Sequence, residues 1–350
     1  MIKKVWCLFA ALCMLSIFSS CEDEYTGFNG SYKGDKLTLN YSGSPMLGKE
    51  VSFRTFDGKK ATIKMSGVLD LGAVFPDEKL PAVGIGAPGV IPGEPETTLS
   101  HVQITSSDEA SSSFTFSGTD KANGREFNYS GEVSDKGMTL NITDVKMPQN
   151  EFLGTWNLAS KGGFSLVWES TAKLNLMGQE MSTAFAATML SGLLSSKIAD
   201  LLQSVTFKED GNIVASFKKK DMTDWQTSPL NSAHYFVKDN KIYVQMNLSQ
   251  ILQTRAGVKD LISLLTDMMR YLTEGVPLSY EVKADGTTRV YLATEDAKKL
   301  LDVVTNDFVL EKLIKLIPED MAPMVKPILE QLPTVLKSTT KLEIGLNIKK

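Results

Sequence analysis

The sequence predicts an α+β protein that is mainly antiparallel β, with two barrel- or sandwich-like domains and helices inserted into the second. Three observations support this fold class. Short runs of alternating apolar and polar residues, separated by Asp-Gly or Asn-Gly pairs, recur along the chain and are typical of β-hairpins. Apart from the first 20 residues, apolar residues at helical spacing appear only in the second half. Finally, GFNGSYKG at 27–34 has a near copy, EFLGTWNL, at 151–158, which indicates two domains that begin alike.

Residues 1–20 have the pattern of a secretory signal peptide. Two lysines form a basic start, an apolar run extends over 5–18, and two serines follow at 19–20. The run is too short to span a hydrocarbon layer about 30 Å thick, which takes ~20 helical residues. We therefore predict that 1–20 is removed on export.

Cys21, directly after these serines, predicts a lipid anchor. Bacterial lipidation attaches diacylglycerol to a cysteine in this position, so Cys21 becomes the mature N-terminus and the membrane is reached through its acyl chains. A disulfide is excluded because the other two cysteines, Cys7 and Cys13, belong to the removed leader. Several acyl chains, at ~0.8 kcal/mol per buried methylene, hold a protein on a membrane essentially permanently.

Residues 21–26 form an acidic tether in which Glu22, Asp23 and Glu24 follow the lipidated cysteine. This run resembles the export signal of Bacteroidetes-type surface lipoproteins, and a plain solvated tether is the alternative. It favours an outer-membrane lipoprotein of the cell envelope that is exposed on the surface over one that faces the periplasm.

Length and charge limit the function classes. The chain of 350 residues is long enough for two domains. Its formal net charge is −4, and loss of the two leader lysines makes it about −6. An acidic chain without a basic cluster argues against nucleic acid as a partner, because such binding rests on cationic contacts to phosphates.

The first domain is predicted over 27–148 as about eight strands without a helix, forming a small antiparallel barrel or sandwich. In VSFRTFDGKKATIKM at 51–65, Asp57 and Gly58 are expected to supply the positive φ angles of a tight turn. The odd-numbered residues of 51–56 should face one side of the sheet and the even-numbered residues the other.

A glycine-rich stretch in this domain invites a cofactor hypothesis. Gly84, Gly86 and Gly89 have the spacing of a dinucleotide-binding fingerprint, which delivers pyrophosphate to a helix N-terminus. Prolines at 81, 88, 92 and 95 exclude such a helix. We expect no cofactor here and a surface loop rich in glycine and proline instead.

The second domain is predicted over 151–350, after a joint at 147–150. Its hairpins are expected to turn at Asp210-Gly211, Asp239-Asn240 and Asp285-Gly286, and 341–348 should be the closing strand.

Apolar residues at helical spacing predict helices within 177–203, 248–274 and 294–337. Thr294 has the character of an N-cap. Prolines between 318 and 333 are expected to divide the last segment into short kinked helices.

Gly154-Thr155-Trp156 is similar to the Gly-x-Trp opening of lipocalin-like barrels, where the tryptophan closes the barrel floor. This resemblance implies a lipocalin-like second domain and makes Trp156 a ligand-binding candidate. The alternative is a core tryptophan at the start of a strand, which requires no ligand.

Helices rich in Met and Leu over the mouth of such a barrel would enclose a soft apolar pocket. Met268 and Met269 are the candidate ligand contacts, and an ordinary core is the alternative. Trp225, in the polar loop 218–233, is a candidate for stacking on a sugar ring, and the alternative is that it caps the barrel.

The chain offers little for catalysis or metal binding. It has only His101 and His234, and it lacks zinc-protease, serine-hydrolase and P-loop motifs. Two distant histidines do not suggest a zinc site, and Glu94 and Glu96 could be a glycosidase pair only by accident of folding. We therefore expect no enzyme, no catalytic residues and no metal.

As a whole, the chain resembles a family of Bacteroidetes lipoproteins of unknown function. The resemblance rests on the leader, the acidic run after Cys21, the GVIPGEPE loop at 89–96 and the Gly-Thr-Trp start of the second half. It implies an accessory or binding lipoprotein and provides no catalytic residues to transfer.

Three functions follow from these observations. The first is a lipid-anchored envelope protein that holds a small apolar or amphiphilic ligand, or a glycan, in its C-terminal domain. The second is a structural or assembly partner that docks another envelope protein through its helices. A hydrolase is the third and the least supported.

Overall fold

The computed structural model describes residues 27–69, 85–106, 112–176, 178–219, 222–252, 269–304 and 322–350. The predictions for the leader, for Cys21 and its acidic run, and for Met268 lie outside the described residues.

The N-terminal domain is one ten-stranded sheet with the order β1-β4-β5-β7-β8-β9-β10-β2-β3, and β6 pairs with β5. Its pairs are antiparallel except β2 with β10, which are parallel. The strands are β1 (Gly30–Lys33), β2 (Leu37–Tyr41), β3 (Ser44–Pro45), β4 (Lys49–Thr55), β5 (Lys60–Leu69), β6 (Ile85–Ala87), β7 (Glu96–Ser106), β8 (Ser113–Ala122), β9 (Arg125–Ser134) and β10 (Gly137–Lys146), with a 3-10 turn at Gly34–Lys36.

The sheet curls around a single apolar core, because strands from all parts of it contribute buried side chains. In β4, Val51 and Phe53 are buried while Ser52 and Arg54 face outward, so the predicted alternation is confirmed. The ring of Phe53 lies 6.4 Å from that of Phe116 on β8, across the core.

The C-terminal domain contains a second ten-stranded sheet with the order β17-β16-β15-β11-β22-β21-β20-β19-β18, and β12 also pairs with β22. A separate hairpin joins β13 to β14. The strands are β11 (Gly154–Leu158), β12 (Phe164–Ser170), β13 (Lys173–Leu176), β14 (Gln179–Ser182), β15 (Leu202–Phe207), β16 (Ile213–Phe217), β17 (Gln226–Thr227), β18 (Ala233–Lys238), β19 (Lys241–Met246), β20 (Val276–Val282), β21 (Thr288–Leu292) and β22 (Thr339–Lys349).

This second sheet nearly closes on itself. Asn212, in the turn before β16, forms an isolated antiparallel bridge with His234 on β18. The amide of Tyr235 donates to the carbonyl oxygen of Gly211 at 2.7 Å. Strand β18, at one end of the strand order, therefore contacts the β15–β16 turn, which lies near the other end.

The described helices belong to the C-terminal domain, and the one at Met269–Thr273 also packs against β6 of the N-terminal sheet. They are α1 (Thr183–Leu201), α2 (Leu248–Leu252), α3 (Met269–Thr273), α4 (Thr294–Val304) and α5 (Ala322–Leu336). Helices α1 and α5 bury apolar side chains against Trp168 on β12 and Leu342 on β22. Among the described helices, none is both long enough and apolar enough to cross a membrane.

Helix α1 also covers the free edge of β12. The hydroxyl oxygens of Ser191 and Ser195 accept hydrogen bonds from the amides of Leu166 and Phe164, each at 3.0 Å. Edge amides that are satisfied in this way cannot pair with a strand of another chain.

The predicted turns are confirmed in one hairpin and corrected in another. Asp239 and Asn240 have φ angles of 49° and 57° and form the two-residue turn between β18 and β19. The β4–β5 hairpin instead has a four-residue loop at 56–59, in which only Gly58 has a positive φ, of 63°. Asp57 serves this turn through its carboxylate, which accepts hydrogen bonds from the amides of Lys59 and Lys60.

Helix α5 corrects the expectation of short kinked helices, since it runs unbroken through Pro327 and Pro333. Each proline removes one amide donor, at a cost of about 3 kcal/mol. The helix nevertheless forms because Ile328, Leu332 and Val335 are buried against the sheet, and burial of an apolar face can offset poor helix propensity.

The fold class predicted from the sequence is confirmed. The protein is α+β, rich in antiparallel strands, and has two β-rich domains.

Candidate functional site at the domain junction

The loop rich in glycine and proline lies between the two domains and contacts both of them. The sequence predicted a surface loop, and this prediction is wrong for residues 88–92, which are buried. The loop follows this path because the Nζ of Lys49, at the start of β4, donates hydrogen bonds to the carbonyl oxygens of Pro88 at 2.6 Å and Gly89 at 3.0 Å. Buried backbone carbonyls need such partners.

Two glycines allow the loop to approach its neighbours closely. A Cβ atom at Gly89 would lie 1.9 Å from the carbonyl oxygen of Glu94. At Gly93, with φ 81°, a Cβ would lie 2.9 Å from the ring of Phe236 on β18. The Gly93 amide also donates to Oε1 of Gln245 on β19 at 3.2 Å, so the loop is bonded to the C-terminal domain.

A network of buried hydrogen bonds connects β2 of the N-terminal domain to the β15–β16 turn of the C-terminal domain. The hydroxyl of Tyr41 donates to the carbonyl oxygen of Asp210 at 2.7 Å. The side-chain amide of Asn231 donates to the carbonyl oxygens of Tyr41, Ser44 and Pro45 at 2.9 to 3.1 Å. The fully buried Asn231 thus holds the β2–β3 hairpin against the C-terminal domain.

Two buried titratable groups lie at the same junction. Burial lowers the pKa of Lys49 to about 7. Burial, together with the charge of Lys49, lowers the pKa of His234 to about 3. The ring of His234 packs edge-on against Tyr41 with centroids 5.4 Å apart, and within the described residues its Nε2 has no hydrogen-bond partner. At neutral pH His234 is therefore an uncharged packing residue.

Arg125, at the start of β9, anchors the other end of the loop. Its side chain is 5% exposed. Nε and Nη2 donate to the two carboxylate oxygens of Glu94 at 2.8 and 3.0 Å, and Nη1 donates to Asp120. Burial acts to raise the pKa of Glu94, but hydrogen bonds from Arg125 and Thr97 outweigh it, so the net shift is downward. Glu94 is therefore an ionised structural partner of Arg125.

A cleft of about 290 Å³ opens beside this ion pair, and we call it the junction cleft. Four segments form it: the loop at 92–94, the β8–β9 turn at 123–125, the interdomain linker at 147–150 and the end of β18 at 235–238. Its wall combines apolar surfaces with amide and charged groups, represented by Pro92, Met147, Phe236, Asn123, Gln149 and Lys238. Such a wall suits a ligand that has both apolar faces and hydrogen-bonding groups.

The aromatic part of the wall is held in place from behind. The ring of Phe236 stacks on that of Tyr243 at 4.9 Å with an angle of 7° between the planes. Tyr235, the next residue, packs edge-on against Phe207 at 4.8 Å. The cleft is therefore preformed on two strands of the C-terminal sheet.

Trp156 lies in the core of the C-terminal domain, among Phe152, Phe207 and Tyr235. Its indole Nε1 donates to the carbonyl oxygen of Phe152 at 2.7 Å. Trp156 therefore supports the cleft from within and is not among the residues that line it.

Trp225 lies away from the cleft and is 38% exposed. The Nζ of Lys218 lies 4.5 Å from the centroid of its ring, so this face already carries a cation. Trp156 and Trp225, the two predicted ligand contacts, therefore do not belong to one site.

The predicted apolar pocket under the helices stays a prediction. Met269 begins α3, its side chain is not described, and segments 253–268 and 305–321 lie outside the described residues. The described parts of α1 and α5 form an ordinary core with Trp168 and Leu342.

The acidic and histidine side chains that were considered for catalysis, and for which no catalytic role was expected, do not come together. Glu94 pairs with Arg125, whereas Glu96 pairs with Lys64 on the outer face of the sheet at 2.5 Å. His101 is exposed on β7, where the backbone φ is 58°. Across the ranges that the structure describes, no group of three His, Cys, Asp or Glu side chains could hold a metal ion.

The sequence analysis did not identify Lys49 and Arg125 as site residues. The alternation of buried and exposed positions along their strands could have identified them. Lys49 has the same parity as Val51 and Phe53, so it faces the interior of the sheet. Arg125 likewise has the parity of the buried Phe127. A charged residue in the apolar register of a strand indicates a buried partner.

No protein-family model, curated protein or solved structure matches this chain. The resemblance to a lipoprotein family therefore stays a prediction from the sequence.

Proposed function

We propose that this protein is a lipid-anchored binding protein of the cell envelope, held on the outer membrane by acyl chains on Cys21 and exposed at the cell surface. The leader, the cysteine behind two serines and the acidic tether support the anchor. The observation that carries the binding function is the junction cleft, because two domains and the linker between them contribute to one preformed wall. Ligand sites are common at domain interfaces.

The ligand that best fits this wall is a glycan. A sugar ring has an apolar face of C–H groups and a rim of hydroxyls. Pro92 and Met147 provide apolar surfaces for the face, and Asn123 and Gln149 provide amide groups for the hydroxyls. This choice replaces the pocket of methionines as the first candidate site.

The anchor is tested by replacing Cys21 with serine in cells supplied with labelled palmitate. We expect the wild-type protein to carry the label and to fractionate with membranes, and Cys21→Ser to lose both properties. Protease added to intact cells should degrade the wild-type protein if it faces outward. Labelled palmitate on the serine variant would contradict the anchor at Cys21.

The binding function is tested on the mature chain by native mass spectrometry and on a glycan array. The double variant Gln149→Ala, Lys238→Ala should lower the affinity for a bound glycan about tenfold, equivalent to ~1.4 kcal/mol. The matched control is Gln203→Ala, Lys219→Ala, two exposed residues of the same types away from the cleft. Equal binding by both double variants would exclude the junction cleft as the site.

A second candidate function is docking to another envelope protein through a helix. Helix α1 exposes Phe185 to 59% and its last residue, Leu201, to 44%. Aromatic side chains are enriched at protein–protein interfaces, so Phe185 is the candidate contact residue. If Phe185→Ser removes a partner that crosslinks to the wild-type protein on intact cells, while the cleft variant keeps it, docking is the function.

A further inference from the structure

The most exposed of the large apolar side chains in the described residues is Phe56, at 78%. It begins the four-residue loop of the β4–β5 hairpin at 56–59. We call this loop, together with Lys60 at the start of β5, the hairpin tip (56–60). Lys59 and Lys60, both exposed, complete the tip. The tip therefore presents one aromatic ring beside two cationic side chains and the carboxylate of Asp57, which gives it a net charge of +1.

The tip is a preorganised loop. The carboxylate of Asp57 accepts hydrogen bonds from the amides of Lys59 at 2.9 Å and Lys60 at 2.8 Å. The hydroxyl of Thr55 donates to the carbonyl oxygen of Lys60 at 2.7 Å and accepts from the amide of Gly58 at 3.1 Å. Phe56 is thus held outward by the geometry of the turn and gains no cover from its neighbours.

The N-terminal tether emerges at the same place. The side chain of Asn29 makes two hydrogen bonds with the backbone of Thr55: its amide donates to the carbonyl oxygen at 2.8 Å, and its oxygen accepts from the Thr55 amide at 2.7 Å. Gly30, the first residue of β1, pairs with Phe53. The chain that leads back to Cys21 therefore starts directly beside the tip.

The length of this tether limits how far the tip can lie from the anchor. Eight residue steps separate Cys21 from Asn29. At roughly 3.5 Å per residue they span at most about 28 Å. The tip also points away from the domain junction, because Lys49 is at the junction and Thr55 is at the opposite end of β4.

We propose that the hairpin tip docks on the phospholipid surface beside the anchor, with the ring of Phe56 among the acyl chains and the two lysines at the headgroup phosphates. This inference rests on the proposed anchoring at Cys21. Aromatic rings are favoured at the membrane interface, and lysines within a Debye length of an anionic surface are attracted to it. One ring and two charges bind weakly alone, but the anchor keeps them at high effective concentration next to the lipid.

The test uses the lipidated mature protein reconstituted in vesicles of phosphatidylethanolamine and phosphatidylglycerol. Phe56→Cys provides a single reactive thiol, because the only mature cysteine, Cys21, carries acyl chains in this proposal. An environment-sensitive fluorophore on that thiol should shift to shorter wavelength and be quenched by nitroxide-labelled lipid. The same fluorophore on Phe185→Cys, which replaces another exposed phenylalanine, should show neither effect.

A charge variant provides a second readout. Lys59→Glu with Lys60→Glu should reduce the quenching at position 56 at least twofold in anionic vesicles. The matched control, Lys173→Glu with Lys326→Glu, reverses the charge of two exposed lysines of the C-terminal domain. It should leave the quenching unchanged.

Flotation of the labelled protein separates the two proposals. If the protein does not float with the vesicles, anchoring at Cys21 fails and the docked tip fails with it. If it floats and position 56 is quenched no more than position 185, the docked tip is overturned while the anchor stands. Flotation together with selective quenching at position 56 supports both.

Discussion

Replacing Arg125 with methionine is expected to lower the free energy of unfolding by about 3–5 kcal/mol, because removal of one partner leaves buried charge without compensation. Arg125 makes hydrogen bonds to the carboxylates of both Glu94 and Asp120 while its own side chain is only 5% exposed. Without it, Glu94 releases the end of the buried loop, and the wall of the junction cleft loosens. Urea denaturation of the mature chain, read by tryptophan fluorescence, measures the change.

The matched control is Lys121→Met on the adjacent strand. Lys121 pairs with Glu126 at 2.9 Å, but its side chain is 67% exposed. Exposed pairs contribute about 0–1 kcal/mol. A loss below about 1 kcal/mol for Arg125→Met would show that the ion pair does not hold the junction.

Lys49 is expected to make the protein more stable at pH 9 than at pH 7. In the folded state its pKa is lowered to about 7 by burial, whereas in the unfolded chain it has its ordinary value near 10.5. Between these two values the unfolded chain binds a proton that the folded chain does not, so stability rises with pH by up to ~1.4 kcal/mol per unit. Well below pH 7 the full cost applies, on the order of 5 kcal/mol.

The neutral form of Lys49 suits its surroundings, because an uncharged amine has two N–H donors and the carbonyl oxygens of Pro88 and Gly89 accept two hydrogen bonds. Lys49→Met should remove the rise in stability between pH 7 and pH 9, measured by urea denaturation across that range. Lys60→Met, which removes the same charge from an exposed position, should keep it. If the stability of Lys49→Met still rises between pH 7 and pH 9, another titratable group causes the rise.

The sequence was a reliable guide wherever local periodicity decides the structure. Alternation in β4 correctly predicted which of residues 51–54 face the core, and Asp239-Asn240 correctly predicted a two-residue turn. Both features depend on neighbours a few residues apart. They require no knowledge of the partner element.

The junction could not be predicted because its partners are far apart in the chain. Asn231 makes a hydrogen bond to the carbonyl oxygen of Tyr41 across 190 positions, and Gly93 bonds to Gln245 across 152. Glycine and proline at 88–92 were interpreted as a surface loop, since composition alone does not reveal that Lys49 satisfies the buried carbonyls. The continuity of helix α5 through its two prolines was missed for the same reason, because the sheet that buries its apolar face lies elsewhere in the sequence.

The attachment of the tether to the edge strand β1 has a mechanical consequence. Gly30–Lys33 pairs residue by residue with Phe53–Glu50, and the tether joins the fold at the Gly30 end of the strand. A force applied at this end along the axis of β1 is shared by the hydrogen bonds of the ladder, which must break together. The packing of Phe28 against Phe114, with ring centroids 5.0 Å apart, adds resistance where the force enters the fold. If the anchor that we propose at Cys21 holds the molecule to a moving surface, a pull along β1 loads this ladder in shear, the direction in which a β ladder resists force best.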